Sequence, residues 1–142
     1  MFSIKSNGSN RKSGQKTILT IDDDSSIREL LEILLGRKFQ IIGKSNGFDA
    51  MVWLDSGNIP DLIIADVQMP KLNGVDFLIK IKKSGFFRDV PIIFLSGIDD
   101  QRKIDQLKNM GAEDFISKPF NPNILIEKID NLIKTKESIK YA

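Results

Sequence analysis

Four consecutive apolar residues, Leu62 to Ala65, are followed directly by a carboxylate, Asp66. Pro60–Asp61 precedes this run, and a turn-like segment, Met69–Gly74, follows it. A short apolar run between turn signals is typical of a strand that is buried on both faces of a parallel sheet. In open α/β sheets, ligands bind at the carboxyl ends of the strands. The sequence therefore predicts a strand over 61–66 that brings Asp66 to a ligand-binding edge.

Segments with strand and helix patterns alternate five times along the chain. The predicted strands are Thr17–Ile21, Phe39–Gly43, Asp61–Asp66, Val90–Leu95 and Asp114–Ser117. Each is followed by apolar residues at helical spacing, and the last helix begins at Pro122 after an Asn121 cap. Strict alternation predicts a parallel sheet with right-handed crossovers and helices on both faces. The fold class is therefore α/β, in a single domain.

The composition excludes several kinds of chemistry. The chain has 142 residues, of which 41% are hydrophobic, and it contains neither cysteine nor histidine. Disulfides, thiolate chemistry and histidine-based catalysis are therefore absent, and carboxylates, hydroxyls, amides and amines remain. No apolar segment approaches the roughly 20 residues of a membrane span, and no signal peptide is recognisable. We therefore expect a cytoplasmic protein without membrane attachment.

The amino-terminal segment 1–15 is predicted to be a flexible basic tail. Lys5, Arg11, Lys12 and the adjoining Lys16 give the first 16 residues a charge of +4, within a net charge of +2 for the chain. A nucleic-acid or membrane-surface arm and a plain solvated tail are both open interpretations, and the wide spacing of the charges favours the second. The rest of the sequence has no basic stripe to support nucleic-acid binding.

Polar side chains follow four of the predicted strands where each strand ends. These are the acids Asp22–Asp24, then Asp66, Ser96–Gly97 and Lys118. Because the carboxyl ends of parallel strands share one edge, we expect carboxylates, a hydroxyl and an ammonium to converge there. Crowded carboxylates repel one another unless a cation lies between them. Mg²⁺ is the ion that best suits a donor set made only of oxygens.

The three acids at 22–24 have an alternative role as caps of the first helix. Asp24, Ser25, or Ser26 in a capping box with Glu29 are candidates for the N-cap. An N-cap is a single residue, so that capping accounts for at most one of the three acids. The other two favour the metal site.

Asp66 is either a metal ligand only or a nucleophile, for which aspartyl-phosphate formation is the precedent. Phosphoryl transfer requires positive charge and hydrogen-bond donors around the phosphoryl oxygens, which Lys118 and Ser96 would supply. When each residue is considered alone, other interpretations are equally good. Lys118 is then a solvated lysine that neutralises the acids, and Ser96 is a turn or cap residue. Their joint position at the strand ends favours the phosphoryl site.

The sequence resembles the receiver domain of bacterial two-component response regulators of the chemotaxis-regulator type. The motifs that carry this resemblance are IDDD at 21–24, DVQMPKLNG at 66–74, LSG at 95–97 and DFISKPF at 114–120. The resemblance covers about residues 16–136 and implies a flavodoxin-like (βα)5 sheet of order 2-1-3-4-5. Residues 137–142 are then a short polar extension.

The resemblance also implies the chemistry of the site. Asp66 would accept a phosphoryl group from a phosphohistidine on a sensor histidine kinase or phosphotransfer protein. Asp22 and Asp23 would hold Mg²⁺ together with Asp66 and the backbone carbonyl of Gln68. In the family, the position of Gln68 is variable and affects dephosphorylation.

Other residues are implied to contact or report the phosphoryl group. Ser96, Gly97 and Lys118 would contact it, and the Lys118–Pro119 bond would be cis. A switch would couple Ser96 to Phe115 and repack the face made by the fourth helix, fifth strand and fifth helix, which binds a downstream protein or a second copy of the chain. Phe115 lacks the hydroxyl of tyrosine, and its alternative role is that of a core residue.

We therefore expect a stand-alone receiver that signals through protein contact in a phosphorelay. It would not be an enzyme beyond Mg²⁺-dependent self-phosphorylation and autodephosphorylation. The alternatives are the N-terminal receiver of a longer regulator, an unphosphorylated pseudo-receiver, and a magnesium-dependent phosphotransferase or phosphatase. The last usually carries a second aspartate two residues after the nucleophile, where this chain has Gln68.

Overall fold

The computed structural model describes residues 14–141, and their side chains as far as 137. Residues 1–13 of the predicted basic tail lie outside this range. The strands are β1 Thr17–Ile21, β2 Gln40–Lys44, β3 Leu62–Ala65, β4 Ile92–Ser96 and β5 Asp114–Ser117. The helices are α1 Ser25–Leu35, α2 Gly47–Asp55, α3 Gly74–Lys83, α4 Gln101–Asn109 and α5 Pro122–Tyr141. None of the described helices is both long and apolar enough to span a membrane.

All five strands are parallel and lie in the order β2-β1-β3-β4-β5, which confirms the predicted flavodoxin-like topology. The carboxyl ends of the three central strands lie side by side. Ala65, the last residue of β3, pairs with Ile21 of β1 on one side and with Phe94 of β4 on the other. The residues that follow the central strands therefore start from neighbouring positions on one edge.

Alternate residues of the strands pack into two apolar cores, one on each face of the sheet. The first core joins strand residues such as Leu19 and Phe94 to α2, α3 and α4. The second joins residues such as Ile18 and Ile64 to α1 and α5. Burial on both faces explains why β3 is an uninterrupted apolar run rather than an alternating one.

Several predicted boundaries shift by one or two residues. β3 ends at Ala65, so that Asp66 is the first residue after the strand, and β2 and β4 begin and end later than predicted. Asp24 is the N-cap of α1, since its side chain accepts a hydrogen bond from the Ser26 N–H at 2.9 Å. The capping-box alternative at Ser26 is therefore wrong.

The helix faces differ in detail from what the spacing of apolar residues predicts. In α3 the spacing predicts an inward stripe that includes Val75, Leu78 and Ile79, yet Phe77 is also fully buried. In α5 the predicted stripe includes Ile124, which is 47% exposed. In α4 the spacing predicts that Ile104 faces inward, and it is half-buried. Helix α5 continues to Tyr141, so the predicted boundary at 136 is not the end of a secondary-structure element.

Candidate functional site

Backbone hydrogen bonds place the polar residues at the carboxyl edge of the sheet. The Asp66 N–H donates to the Ile21 carbonyl at 2.9 Å, and the Lys118 N–H donates to the Ser96 carbonyl at 2.9 Å. Each bond continues the parallel ladder one residue beyond a strand. Asp22, which directly follows β1, is therefore next to Asp66, and Lys118 is held beside the end of β4.

The Lys118 ammonium binds two carboxylates at this edge. Its Nζ lies 2.7 Å from Asp22 Oδ2 and 3.3 Å from Asp66 Oδ2. Burial alone acts to lower the pKa of Lys118, but the hydrogen bond and charge of Asp22, followed by those of Asp66, outweigh it and raise the pKa. Lys118 therefore remains charged and neutralises part of the acid cluster.

The acids form a set of oxygen donors suited to a hard cation. Carboxylate oxygens of Asp22, Asp23 and Asp66 all lie within 4.8 Å of one another. Asp22 is 3% and Asp66 9% exposed, whereas Asp23 is exposed, so that the set opens to solvent on one side. The Gln68 N–H donates to Asp66 Oδ1 at 3.2 Å, which fixes the loop whose carbonyl was assigned to the metal. These residues fit Mg²⁺, which binds one or two carboxylates and keeps several waters.

The other residues that the sequence predicted for the site follow the same strands, but they differ in what their side chains contact. Ser96 is 1% exposed, and its Oγ accepts a 3.4 Å hydrogen bond from the Ile98 N–H. Among the residues that the structure describes, this Oγ makes no hydrogen bond with Asp66 or with the Lys118 ammonium. Phe115 pairs in register with Phe94 and packs, half-buried, against the first core. Open space surrounds the exposed Gly97. The Lys118–Pro119 bond is cis, as the resemblance implies.

Two residues that support the site were missed by the sequence argument. The Arg28 guanidinium of α1 donates to the Asp22 carbonyl at 2.7 Å, and Asp22 Oδ1 accepts from the Asp24 N–H at 3.0 Å. Gly74 lies so close to the loop after β3 that a Cβ there would be 2.7 Å from Val67 Cα and 3.0 Å from the Asp66 carbonyl oxygen. The position of Gly74 next to the polar loop was a signal in the sequence for this close approach. No signal in the sequence pointed to the contact of Arg28 with Asp22.

A groove of about 730 Å³ opens beside the acids, between the loop after β3 and the beginning of α4. Asp23 and Gln68 line it on the side of the acid cluster, and Ile98 and Lys103 line it on the side of α4. The site therefore combines a buried carboxylate, a neutralising ammonium, an oxygen donor set and an open approach.

The fold and the site together define a doubly wound α/β domain with an acid cluster at the carboxyl edge of its sheet. The response regulator receiver domain model matches residues 18–130. The chain belongs to this family, whose members act in two-component signalling.

Individual proteins show the same similarity. The chain is 35% identical over 129 residues to ycf29 of Pyropia yezoensis, named as a transcriptional regulator, which covers 89% of this chain and 56% of that protein. It is 27% identical to the chemotaxis protein CheY1 of Helicobacter pylori, over 84% of this chain and 98% of that one. The structure of a response regulator receiver domain protein from Clostridium thermocellum matches with a TM-score of 0.79 at 29% identity, over 87% and 98% of the two chains.

The relatives differ in length. The chain spans about half the length of the ycf27 and ycf29 regulators that it matches, and nearly the whole of CheY1. The similarity therefore concerns the receiver domain.

Proposed function

We propose that the chain accepts a phosphoryl group on Asp66 from a histidine kinase or a phosphotransfer protein and so switches a protein-binding face. The observation that carries this proposal is the contact of one ammonium, on Lys118, with the buried carboxylates of Asp22 and Asp66. A cation already held against Asp66 is what a phosphoryl group on that carboxylate would need, because its oxygens bring added negative charge.

The residues have separate roles in this reaction. An oxygen of Asp66 forms a bond to phosphorus while the P–N bond to the donor imidazole breaks and leaves its electron pair on that nitrogen. Lys118 binds a phosphoryl oxygen and offsets its charge. Asp22, Asp23, Asp66 and the Gln68 carbonyl would hold Mg²⁺, which when bound would supply further positive charge to the phosphoryl oxygens. The Ser96 hydroxyl donates to no residue that the structure describes, so that its hydrogen is available for the phosphoryl group, and Gly97 leaves space beside it. Self-phosphorylation and autodephosphorylation are the only catalytic activities that we assign.

The output face that we propose consists of α4, β5 and α5. Asp114 of β5 links the three elements, since its carboxylate lies 2.7 Å from Lys128 Nζ of α5 and 3.8 Å from Lys108 Nζ of α4. Burial acts to raise the pKa of Asp114, but the hydrogen bond from Lys128 and the two lysine charges outweigh it and lower the pKa. A downstream protein or a second copy of this chain would bind here. We place this signalling in the cytoplasm, without direct nucleic-acid or membrane binding.

The proposal is tested by incubating the protein with acetyl phosphate and Mg²⁺ and measuring the intact mass. We expect one added phosphoryl group on the wild type, no addition on Asp66→Asn, and no addition when Mg²⁺ is removed by a chelator. Asp55→Asn is the matched control, because Asp55 is exposed at the end of α2 and belongs neither to the acid cluster nor to the groove beside it.

Two results would contradict the assignment. Phosphorylation of Asp66→Asn at the wild-type rate would mean that the acceptor is another residue. An unmodified wild type, with the phosphodonor shown to be intact, would favour the pseudo-receiver, which binds partners without being phosphorylated.

A further inference from the structure

Arg28 is a cation that the proposed phosphoryl transfer does not use, although it lies beside the acid cluster. Its guanidinium donates to the Asp22 carbonyl at 2.7 Å, and the residue is half-buried. The aliphatic stem of Arg28 lies beside β2, since a Cβ at Gly43 would be 3.6 Å from Arg28 Cδ. Arg28 therefore links α1 to the residue that directly follows β1.

Every polar group of Asp22 is held by a separate partner. Its N–H donates to the Lys44 carbonyl at 3.1 Å, and its Oδ1 accepts from the Asp24 N–H at 3.0 Å. Its Oδ2 accepts from Lys118 Nζ at 2.7 Å. Arg28 binds the remaining group, which is the backbone carbonyl. Asp22 is therefore fixed both along its backbone and at its carboxylate.

Asp23 differs from Asp22 in how it is held. It is exposed, and it makes no hydrogen bond or ion pair with any residue in the described part of the chain. Its position depends on the two peptide groups that flank it. Arg28 holds the first of them at the Asp22 carbonyl, and Asp22 Oδ1 holds the second at the Asp24 N–H. Because peptide groups are planar, fixing both of them restricts where the Asp23 side chain can lie.

We propose that Arg28 is a positioning residue that fixes Asp23 and thereby makes the acid cluster selective for Mg²⁺ over Ca²⁺. This inference rests on the proposed function, because it concerns the metal site of that function. Mg²⁺ requires nearly ideal octahedral geometry with bonds of about 2.0–2.1 Å, whereas Ca²⁺ accepts flexible geometry at about 2.3–2.6 Å. A carboxylate held in one position suits the smaller ion, and a carboxylate that is free to move is tolerated only by Ca²⁺.

The charge of Arg28 acts in the opposite direction to its hydrogen bond. A cation beside the acid cluster repels a divalent ion, and it repels Mg²⁺ and Ca²⁺ alike because the two ions carry the same charge. If only the charge of Arg28 matters, its removal strengthens the binding of both ions. If the hydrogen bond positions Asp23, its removal weakens the binding of Mg²⁺ specifically. The comparison of the two ions therefore separates the two effects.

The test measures the Kd of Mg²⁺ and the Kd of Ca²⁺ by calorimetric titration of the wild type and of Arg28→Met. We expect the wild type to bind Mg²⁺ more tightly than Ca²⁺. In Arg28→Met we expect the Kd of Mg²⁺ to rise about tenfold and the Kd of Ca²⁺ to stay within about twofold, because residues that orient metal ligands contribute this much to affinity. Arg28→Lys keeps the charge and a donor, and it should retain most of the selectivity.

Arg37→Met is the matched control, since it removes the same charge from an exposed residue just after α1. We expect this variant to bind both ions as the wild type does. Retained Ca²⁺ binding also shows that Arg28→Met is folded.

Three results would overturn the role of Arg28 and leave the metal site intact. They are an equal change of both Kd values in Arg28→Met, no change in either value, and a wild type that binds Ca²⁺ as tightly as Mg²⁺. Failure of the wild type to bind either ion would instead remove the metal site from the proposed function, and this inference with it.

Discussion

At the scale of single residues, Lys118 determines how two buried carboxylates coexist. Its side chain is 20% exposed, and its ammonium lies closer to Asp22 than to Asp66. Removing one partner of a partly buried ion pair leaves the other charge uncompensated, which costs more than the pair itself contributes. The contact on which the proposed phosphorylation of Asp66 rests therefore also stabilises the fold.

We expect Lys118→Met to lower the free energy of unfolding by about 1–3 kcal/mol at neutral pH without metal. The pKa of Lys118 is raised in the folded state above its ordinary value of 10.5. Its contribution is therefore fully present below pH 10.5 and is lost as the pH rises through the higher folded pKa. Urea unfolding of both proteins from pH 7 to 12 measures the difference.

Lys38→Met is the control for that experiment, because Lys38 forms an exposed ion pair with Asp130 at 2.7 Å. Exposed pairs contribute about 0–1 kcal/mol. A difference between wild type and Lys118→Met that grows above pH 10.5 would contradict the charge argument.

At the scale of secondary-structure elements, the start of α3 is fixed by its close approach to β3. Asn73 caps α3 by accepting a 3.0 Å hydrogen bond from the Asp76 N–H, and the Gly74 N–H donates to the Val67 carbonyl at 2.8 Å. Only a residue without Cβ fits there, because the nearest atoms belong to the backbone after Asp66 and cannot rotate away. The helix therefore holds the loop after β3 in place.

We expect Gly74→Ala to lower the free energy of unfolding by about 1–3 kcal/mol, since the added methyl group must displace backbone. Because that backbone carries Asp66 and leads to Gln68, the variant should also bind Mg²⁺ more weakly. Thermal unfolding and calorimetric titration with Mg²⁺ measure the two effects.

Gly85→Ala is the matched control, since a Cβ at Gly85 meets no atom within 4 Å. Wild-type stability and metal affinity in Gly74→Ala would show that the loop after β3 adapts without cost.

At the scale of the whole molecule, the acid cluster joins elements that lie far apart in the chain. Asp22 and Lys118 are separated by 96 residues, and Asp66 lies between them in sequence. A ligand that binds only when β1 and β3 are assembled stabilises the complete fold, because the unfolded chain does not hold these carboxylates together.

We therefore expect Mg²⁺ at about 100 times its Kd to raise the free energy of unfolding by about 2.7 kcal/mol. Asp23→Asn should lose most of this gain while keeping the metal-free stability, because Asp23 is exposed. Denaturant unfolding with Mg²⁺ and with a chelator measures both quantities.

Asp55→Asn, an exposed acid at the end of α2, is the control and should respond to Mg²⁺ as the wild type does. An equal gain in Asp23→Asn would exclude Asp23 as a ligand.

The sequence was sufficient to predict the alternating elements, the sheet and the acids at its carboxyl edge. Hydrophobic periodicity is a local property, and five repeats of strand and helix leave few topologies. The four motifs supplied the strand order through resemblance to a known family. Errors occurred where burial depends on distant neighbours, as for Phe77, whose inward position on α3 the spacing argument did not show.

What the sequence by itself determined is that an acid, Asp66, follows a buried strand and has other polar residues near it. Only the tertiary structure decided that Lys118 binds Asp22 at 2.7 Å as well as Asp66, that Arg28 holds the Asp22 carbonyl, and that Lys103 faces the adjoining groove. The physical reason is that the end of a strand is specified by nearby residues. The partner of a side chain instead depends on how the sheet brings separate loops together.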